Sequence, residues 1–547
     1  RRKPQPSCRR VDHTNSIVEV KAVDRGQAKF VVVLHSHLPW VVGHGRWPFG
    51  EEWIYEIAWS SYLPLLRCIR NLARDGIPAN LAVSLTPVLA EQLASEAFRN
   101  GFPAYLKDRR QRVVEDRSEF LAKGQTELAR LASWMEEQLQ AAVEAFDAIG
   151  RDIPMAFADH ARAGSIELMT SAATHGYLPL LRREKSVRLQ VRVGRTIFMD
   201  ATGISPVGFW LPECAYKPGL EALVAGEGYR YTVLDAMAIR GGKAVSHYGE
   251  STRVGKETGR PVEAVYLIDE SSLIAFPRHP GLCSQVWSKW SGYPGDFAYR
   301  EFHRQHPRSG MRYYRVTDSQ GKLETKQPYK PETAFARARE HAAHFVSKVE
   351  RAADEAKTVF PVLATAFDTE LYGHWWFEGP AFLEEVVRLL ARSDSVQLST
   401  PSRVLEATDP ESLERVVPAE SSWGVDCNHS TWLNDQTMPM WDKLWEIEEI
   451  VDQSWVLTPF GPWPGDLWNL QVLVDGVLRE FLMLMASDWE FLVYTGTAGD
   501  YPWQRFEHHR REFARIYQNL RDALCGRGLP EYRYSPLSNG KGGAQLE

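Results

Sequence analysis

Val207–Tyr216, read as VGFWLPECAY, is a short apolar run that stops at Leu211-Pro212 and then delivers a carboxylate, Glu213. Proline has no N–H to give a sheet ladder, so a strand ends there. Glu213 then stands at a strand's C-terminal mouth, between Trp210 and Tyr216. Phe360–Pro380, FPVLATAFDTELYGHWWFEGP, has the same layout: a β-type run ends in Asp368, and four rings with His374 follow at once. Two carboxylates at two strand mouths, each among rings, suggest acid and base work on a sugar. The plainer alternative for each is a helix N-cap or one half of an ion pair.

Outward from these stretches the chain alternates strands with helices. Lys29–Leu34 (KFVVVL) reads as a buried strand by its β-branched run, and it opens onto His35-Ser36-His37-Leu38-Pro39-Trp40. Trp53–Asn71 has helical spacing, Ala79–Leu85 is a second strand, and Thr86-Pro87 opens a helix. Further strands are expected at Ile166–Ala172, just before His175, and at Tyr229–Leu234, ending at Asp235. Two short ones are expected near 263–268 and 272–276. Helices are expected at about 184–201, 218–227, 332–356 and 380–392. This rhythm implies parallel strands, right-handed crossovers and a (β/α)-barrel, which carries catalytic groups at the C-terminal ends of its strands. His35, His37, His175, Glu213, Asp235 and Asp368 all fall just past a strand, and that common position argues for one site.

Two regions break the rhythm. Residues 103–150 are rich in Glu, Gln, Arg, Leu and Ala at helical spacing and read as an insertion. From about 420 the pattern is helical, at 434–450, 466–486 and 503–527. The expected division is a basic arm at 1–27, a barrel at 28–102 and 151–419, the insertion at 103–150, a helical domain at 420–535 and a tail at 536–547. Residues 240–262 are polar and Gly-rich, the composition of a lid or of a plain surface loop. Residues 281–302 are aromatic and loop-like, and 318–331 read as a connection.

Composition narrows the class. Hydrophobic residues make up 44% and charged residues 24% of 547, enough for a large core. A net charge of −6 gives no general pull toward nucleic acid or anionic membrane. No apolar run approaches the ~20 residues of a membrane span. RRKPQPSCRR at the start has no apolar segment behind it, so it does not read as a signal peptide. The six cysteines are scattered without a CxxC pair, which suggests reduced thiols in a cytosol. The 19 tryptophans exceed what a core alone needs and suit stacking on sugar faces. His35-x-His37 leaves three readings open: metal ligands on one side of a strand end, hydrogen-bond partners of a sugar, or core histidines.

HSHLPW, THGYLPLL, GFWLPECAY, FDTELYGHWWFEGP and SSWGVDCNHSTWLND occur in this order. Together they resemble the five sequence regions of glycoside hydrolase family 57. The fourth is similar to the motif of that family's 1,4-α-glucan branching enzymes, and SDWEFLVYTGTAGDYPWQRF looks like their C-terminal helical domain. The resemblance spans about residues 29–527. It implies an α/β fold built as an incomplete (β/α)7 barrel with a helical insertion and a C-terminal helical domain. It further implies an α-glucan substrate, retention through a glycosyl-enzyme intermediate, and no obligatory metal or other cofactor.

Carried over by motif, Glu213 is the nucleophile and Asp368 the general acid/base. His35, His37 and His175 would hold the sugar before the scissile bond. Trp423 and Trp432 would flank the acceptor path with Trp287 or Trp290. Trp210, Asp235, His374, Trp375 and Asp488 complete the expected substrate contacts, and Tyr248 would sit at the tip of the 240–262 lid. Trp210, Trp375, Trp423 and Trp432 are expected to face the cleft. One departure stands out: the branching enzymes usually carry Glu-Gly-Gly after Ser-Ser-Trp-Gly, where this chain has Val425-Asp426-Cys427. The expected activity is branching by a cytosolic monomer. An α-1,4-glucan hydrolase or a 4-α-glucanotransferase is the alternative at the same site. A metal-dependent hydrolase built on the His pair and a non-catalytic glucan-binding protein are the readings from other classes.

Overall fold

The strands that build the barrel are β1 (Ala28–Ser36), β2 (Leu81–Leu85), β3 (Ile166–Ser171), β4 (Phe209–Trp210), β5 (Tyr231–Leu234), β6 (Ile274–Pro277) and β7 (Val362–Asp368). They come from a computed structural model, which describes residues 27–243, 253–288, 292–318, 321–454 and 468–525. One continuous ladder runs β7–β1–β2–β3–β4, and β5 pairs with β6. Single bridges complete the ring: Gly208 to Tyr231 joins β4 to β5, and Arg278 to Ala364 joins β6 to β7. The first seam is tight because the Tyr231 ring lies where a Cβ at Gly208 would sit, 2.2 Å away. The architecture is thus an incomplete (β/α)7 barrel, of α/β class.

Side-chain alternation explains why this ring makes a site. Val31, Val33, Ala82, Met169, Trp210, Val233, Phe276, Ala364 and Ala366 fill the bore. Phe30, Val32, Leu34, Leu81 and Val83 point the other way, into the helical layer. Continuing the period of two, His35 follows Val33, Ser84 follows Ala82, and Asp368 follows Ala366 into the mouth of the bore. The register agrees, since His35 lies opposite Ser84 on one side and Asp368 on the other.

A helical hairpin, α1 (Glu96–Ala122) and α2 (Thr126–Ala148), follows β2. It begins ahead of the expected 103, because Ser95 caps the helix by accepting from Phe98 N and Pro103 lies inside α1. After β7 come α3 (Met438–Gln453), α4 (Trp468–Leu484), α5 (Asp488–Thr495) and α6 (Tyr501–Leu524). Leu444, Phe481, Trp489 and Phe513 from these helices share one core with Leu211, Leu234 and Ile268 of the barrel.

The structure corrects several local expectations. Residues 281–302 are not wholly loop: a helix runs Pro280–Trp287, with the His279 side chain accepting from Leu282 N. Tyr266–Ile268 runs antiparallel to β6, so this pair forms a hairpin turning at Asp269 rather than a crossover unit. Within 240–262, Gly242–Lys243 pairs antiparallel with Arg253–Val254. Tyr248 and Trp290 lie outside the described residues. Cys68, Cys214, Cys283, Cys427 and Cys525 are free thiols. No helix among the described residues is long and apolar enough to cross a membrane.

Candidate active site

Three imidazoles stack at the mouth of the bore. His35 lies against Trp210, with centroids 4.5 Å apart and planes at 18°, and His37 against His175 at 3.9 Å. Each ring nitrogen has a protein partner. His35 meets Ser84 Oγ at 3.1 Å through Nδ1 and His175 Nε2 at 3.0 Å through Nε2. His175 Nδ1 meets Ser487 Oγ at 2.9 Å, and His37 meets Thr86 Oγ1 at 3.1 Å and the Asp488 carboxylate at 3.0 Å. Burial, with the neighbouring imidazoles, pushes His35 and His175 well below the ordinary histidine range, so both are neutral. Burial alone would depress His37 too, but Asp488, aided by Glu213 and Glu370, raises it.

Glu213 stands across from this stack. It follows Pro212 with φ 62°, and Cys214 continues at φ 48°, so two consecutive residues take a left-handed conformation that side chains resist. Trp423 holds the kink from both sides: its backbone N donates to Glu213 O at 3.0 Å and its indole Nε1 to Oε2 at 2.7 Å. Ser487 Oγ donates to Oε1 at 2.9 Å. Ser487 is delivered by the break between α4 and α5, where its N donates to His175 O and Tyr177 N donates to Met485 O. Burial pushes the Glu213 carboxyl up, while the Trp423 and Ser487 donors favour its charged form.

Asp368 is shifted in the same direction, with neighbouring carboxylates adding to burial. Burial, then the charges of Glu370 and Glu213, push it well above the carboxylate range, with only Arg278 opposing. Burial likewise lifts Glu370 to about 7, although the Tyr62 hydroxyl and His37 N donate to it. Tyr62 belongs to a π-helical turn, Ala58–Tyr62, inside an otherwise α-helical run. Ser61 Oγ of that turn bonds Thr369 O and Tyr372 O, both at 2.9 Å, and Gly373 (φ 111°) passes so close to Ser60 O that a Cβ would meet it at 1.9 Å. The turn therefore clamps the loop that follows Asp368. One carboxylate held by two donors, with a second whose proton is favoured by burial and by neighbouring negative charge, is an arrangement that acid-assisted nucleophilic displacement can use.

A family model described as glycosyl hydrolase family 57 matches residues 31–418, and one described as 1,4-alpha-glucan branching enzyme, C-terminal, matches 464–528. The chain belongs to glycosyl hydrolase family 57. A curated 1,4-alpha-glucan branching enzyme of Thermococcus kodakarensis is 37% identical over 508 residues, covering 89% of this chain and 73% of that protein. The crystal structure of a family 57 branching enzyme from the same archaeon superposes with a TM-score of 0.83 at 34% identity, over 91% of this chain and 92% of the other. The alpha-amylase AmyC of Thermotoga maritima superposes with a TM-score of 0.77 at 28% identity, over 92% and 94%.

Against this family 57 frame, the structure brings His35, His37, His175, Glu213, Trp423 and Asp488 together at one mouth, with Asp368 within the field of Glu213. Other expectations need correction. Trp210 is 0% exposed and forms the floor under His35, so it cannot stack on a substrate. Trp432 is 1% exposed: it lies on Tyr177 at 4.5 Å and fills the space beside Gly424, so it is a core ring that backs the Trp423 turn. His374, 7% exposed, turns into the wall beside Ser60 and Glu56, and burial lowers it to about 4. Asp235 caps the helix Ala236–Arg240 through Met237 N and pairs with Arg278 at 3.3 Å, the plainer alternative for a strand-end carboxylate.

Trp287 and Trp375 do present rings to solvent, 43% and 41% exposed, and meet edge to face at 6.2 Å. Ligand atoms of His37, His175 and Asp488 lie within 4.8 Å of one another, a spacing an ion could use, although the same side chains are tied into the hydrogen bonds above. Sequence reasoning missed Ser84, Thr86, Tyr62, Arg278, Glu370 and Ser487. Glu370 carried a signal, since it stands two residues after Asp368. Arg278 carried a weaker one, as a cation directly after β6.

Proposed function

We propose that this chain is a 1,4-α-glucan branching enzyme working by retaining double displacement. Glu213 attacks the anomeric carbon of an internal α-1,4 linkage while neutral Asp368 protonates the leaving 4-oxygen. The donor chain stays on Glu213, and Asp368, now a base, activates a 6-hydroxyl of another glucan to form the α-1,6 branch. The observation that carries this reading is the pairing of a doubly hydrogen-bonded Glu213 with an Asp368 whose carboxyl is pushed well up by burial and by neighbouring negative charge. The match of 464–528 to the branching-enzyme C-terminal model supports branching over hydrolysis, because that region supplies Ser487 and Asp488 to the mouth. Trp287 and Trp375 are the exposed platforms for the glucan. We infer a monomer in the cytosol, where its thiols stay reduced and its acceptor is of glycogen type.

Proton NMR of amylose after incubation tests this, by counting new α-1,6 anomeric signals against new reducing ends. Branch signals that exceed reducing ends, and vanish with Glu213→Gln, are expected. Reducing ends without branches would make the chain an amylase-like hydrolase, as AmyC is named. Disproportionated linear chains would make it a 4-α-glucanotransferase. Dialysis against EDTA should leave the activity intact. Loss on chelation with recovery on zinc would replace this reading by a metal-dependent one built on His37, His175 and Asp488.

A further inference from the structure

Five side chains form one unbroken line: Ser84, His35, His175, Ser487 and Glu213, with successive contacts of 3.1, 3.0, 2.9 and 2.9 Å. We propose that Ser487 is a positioning residue for Glu213, and that this line is a single oriented hydrogen-bond chain whose direction is set by the charge on Glu213. The proposal rests on the reading of Glu213 as the nucleophile.

The direction follows from donor and acceptor capacity alone. An ionised carboxylate only accepts, so the Ser487 hydroxyl proton points at Glu213 Oε1. The Ser487 oxygen then accepts from His175, which must carry its proton on Nδ1. His175 Nε2 is therefore bare and accepts from His35 Nε2–H. His35 Nδ1 is bare in turn and accepts from the Ser84 hydroxyl. Neutral rings are required throughout, and the burial of both imidazoles provides them. Around Glu213 the other polar and charged groups include Trp423 from the 421–428 turn, Asp488 from α5, His37 after β1, Tyr177 after β3 and Asp368 at the end of β7, and His175 Nδ1 itself lies 3.6 Å from Oε1. Among these, Trp423 is the other direct donor to the carboxylate, and an indole N–H can only donate.

The arrangement has a function in the cycle. Each donor in the line is polarised by the one behind it, so the Ser487 bond is stronger than an isolated hydroxyl would make. The line does not have to reorganise when Glu213 becomes an ester, because a carbonyl oxygen also accepts. It holds the carboxylate charged, and it stabilises that charge again when the glycosyl group departs. His35 and His175 spend all their nitrogens on it, so they position the nucleophile rather than offer free donors to the sugar.

Histidine tautomers give the test, read as 15N spectra of 15N-histidine-labelled enzyme with assignments from His35→Gln and His175→Gln. The wild type should show Nδ1–H on His175 and Nε2–H on His35. In Glu213→Gln the donor-only Trp423 must take the amide oxygen, which turns the amide NH2 toward Ser487. Ser487 then donates to His175, and both tautomers should invert, to Nε2–H on His175 and Nδ1–H on His35. Tautomers unchanged by Glu213→Gln would overturn the oriented chain. Turnover retained in Glu213→Gln would instead sink the nucleophile reading, whichever way the tautomers fall. Ser487→Ala should lower kcat roughly 10- to 100-fold with little change in KM, the loss of one hydrogen bond to a charged group. It should also move the acid limb of the rate profile upward, and Ser487→Thr should restore both. An Ala variant with unchanged kcat and acid limb would show that Ser487 does not position Glu213.

Discussion

Glu370 shows most directly how single groups set the chemistry here. Its Oε1 accepts from His37 N and from Tyr62, yet burial still lifts it from 4.5 to about 7. A carboxyl whose folded pKa is raised binds its proton more tightly folded than unfolded. Its stabilisation is complete below about pH 4.5 and is lost as pH rises through about 7, at most about 3 kcal/mol for one group. Asp368 is shifted the same way, so both contribute a stability that falls toward alkaline pH. Glu370→Gln keeps an acceptor for His37 N and Tyr62 but removes the titration. Denaturant melts across pH 5–8 should show the wild type losing stability with pH and the variant losing less of it. Equal slopes would mean that Glu370 is not a perturbed group. If Asp368 is the acid, the same substitution should also move the alkaline limb of the activity profile to lower pH, because the Glu370 charge that helps raise Asp368 is gone.

At the scale of elements, the turn 421–428 carries the difference between what a motif names and what a fold does with it. The motif gave two tryptophans nine apart. Trp423 ends on Glu213, and Trp432 ends in the core against Tyr177 and Gly424. Sequence spacing gives a ring's position along the chain but not the direction it faces, and that is why both looked like platforms. Trp432→Ala should therefore act as a core truncation, costing about 3–5 kcal/mol and lowering Tm, with activity falling because the Trp423 turn loses its backing. Lost glucan affinity with an unchanged Tm would return Trp432 to the cleft.

The same turn explains the departure at 425–427. Asp426 and Cys427 take φ 64° and 54°, at the positions where the branching enzymes that the chain resembles usually have two glycines, and a side chain in that conformation costs about 1–2 kcal/mol. Cys427→Gly should raise stability by about 1 kcal/mol in urea melts, and a destabilised variant would show that the Cys427 contact with Asp235 outweighs the strain. The strand ends were legible because Pro212 and Asp368 punctuate apolar runs. The π turn at Ala58–Tyr62 was not, because nothing in its composition departs from an ordinary helix. Ser487 was not either, because its contact is to Glu213, 274 residues earlier.

For the molecule as a whole, the decisive fact is that the barrel and the C-terminal helices share one core. Leu211 and Leu234 of the barrel lie in the same apolar cluster as Phe481, Trp489 and Phe513. The backbone joins them as well, through Gly176 to Ala486 and through Ser487 N to His175 O. Separate domains meet through a smaller and more polar surface and open independently. Here neither part can bury its apolar face alone, and both must be in place for Ser487 and Asp488 to reach Glu213 and His37. The chain should therefore open cooperatively across this boundary. Hydrogen exchange followed at rising denaturant should give the same limiting opening free energy for peptides from β1, from β3 and from 470–484. Activity should disappear at the same midpoint. The hairpin of α1 and α2 is built into the barrel's other core in the same way, with Phe98, Phe102 and Phe146 in one apolar cluster with Phe30 and Leu81, so it should open in the same transition. If 470–484 exchanges first while β1 and β3 stay protected, the C-terminal helices are an independent unit. The Ser487 donor to Glu213 would then come and go with their docking.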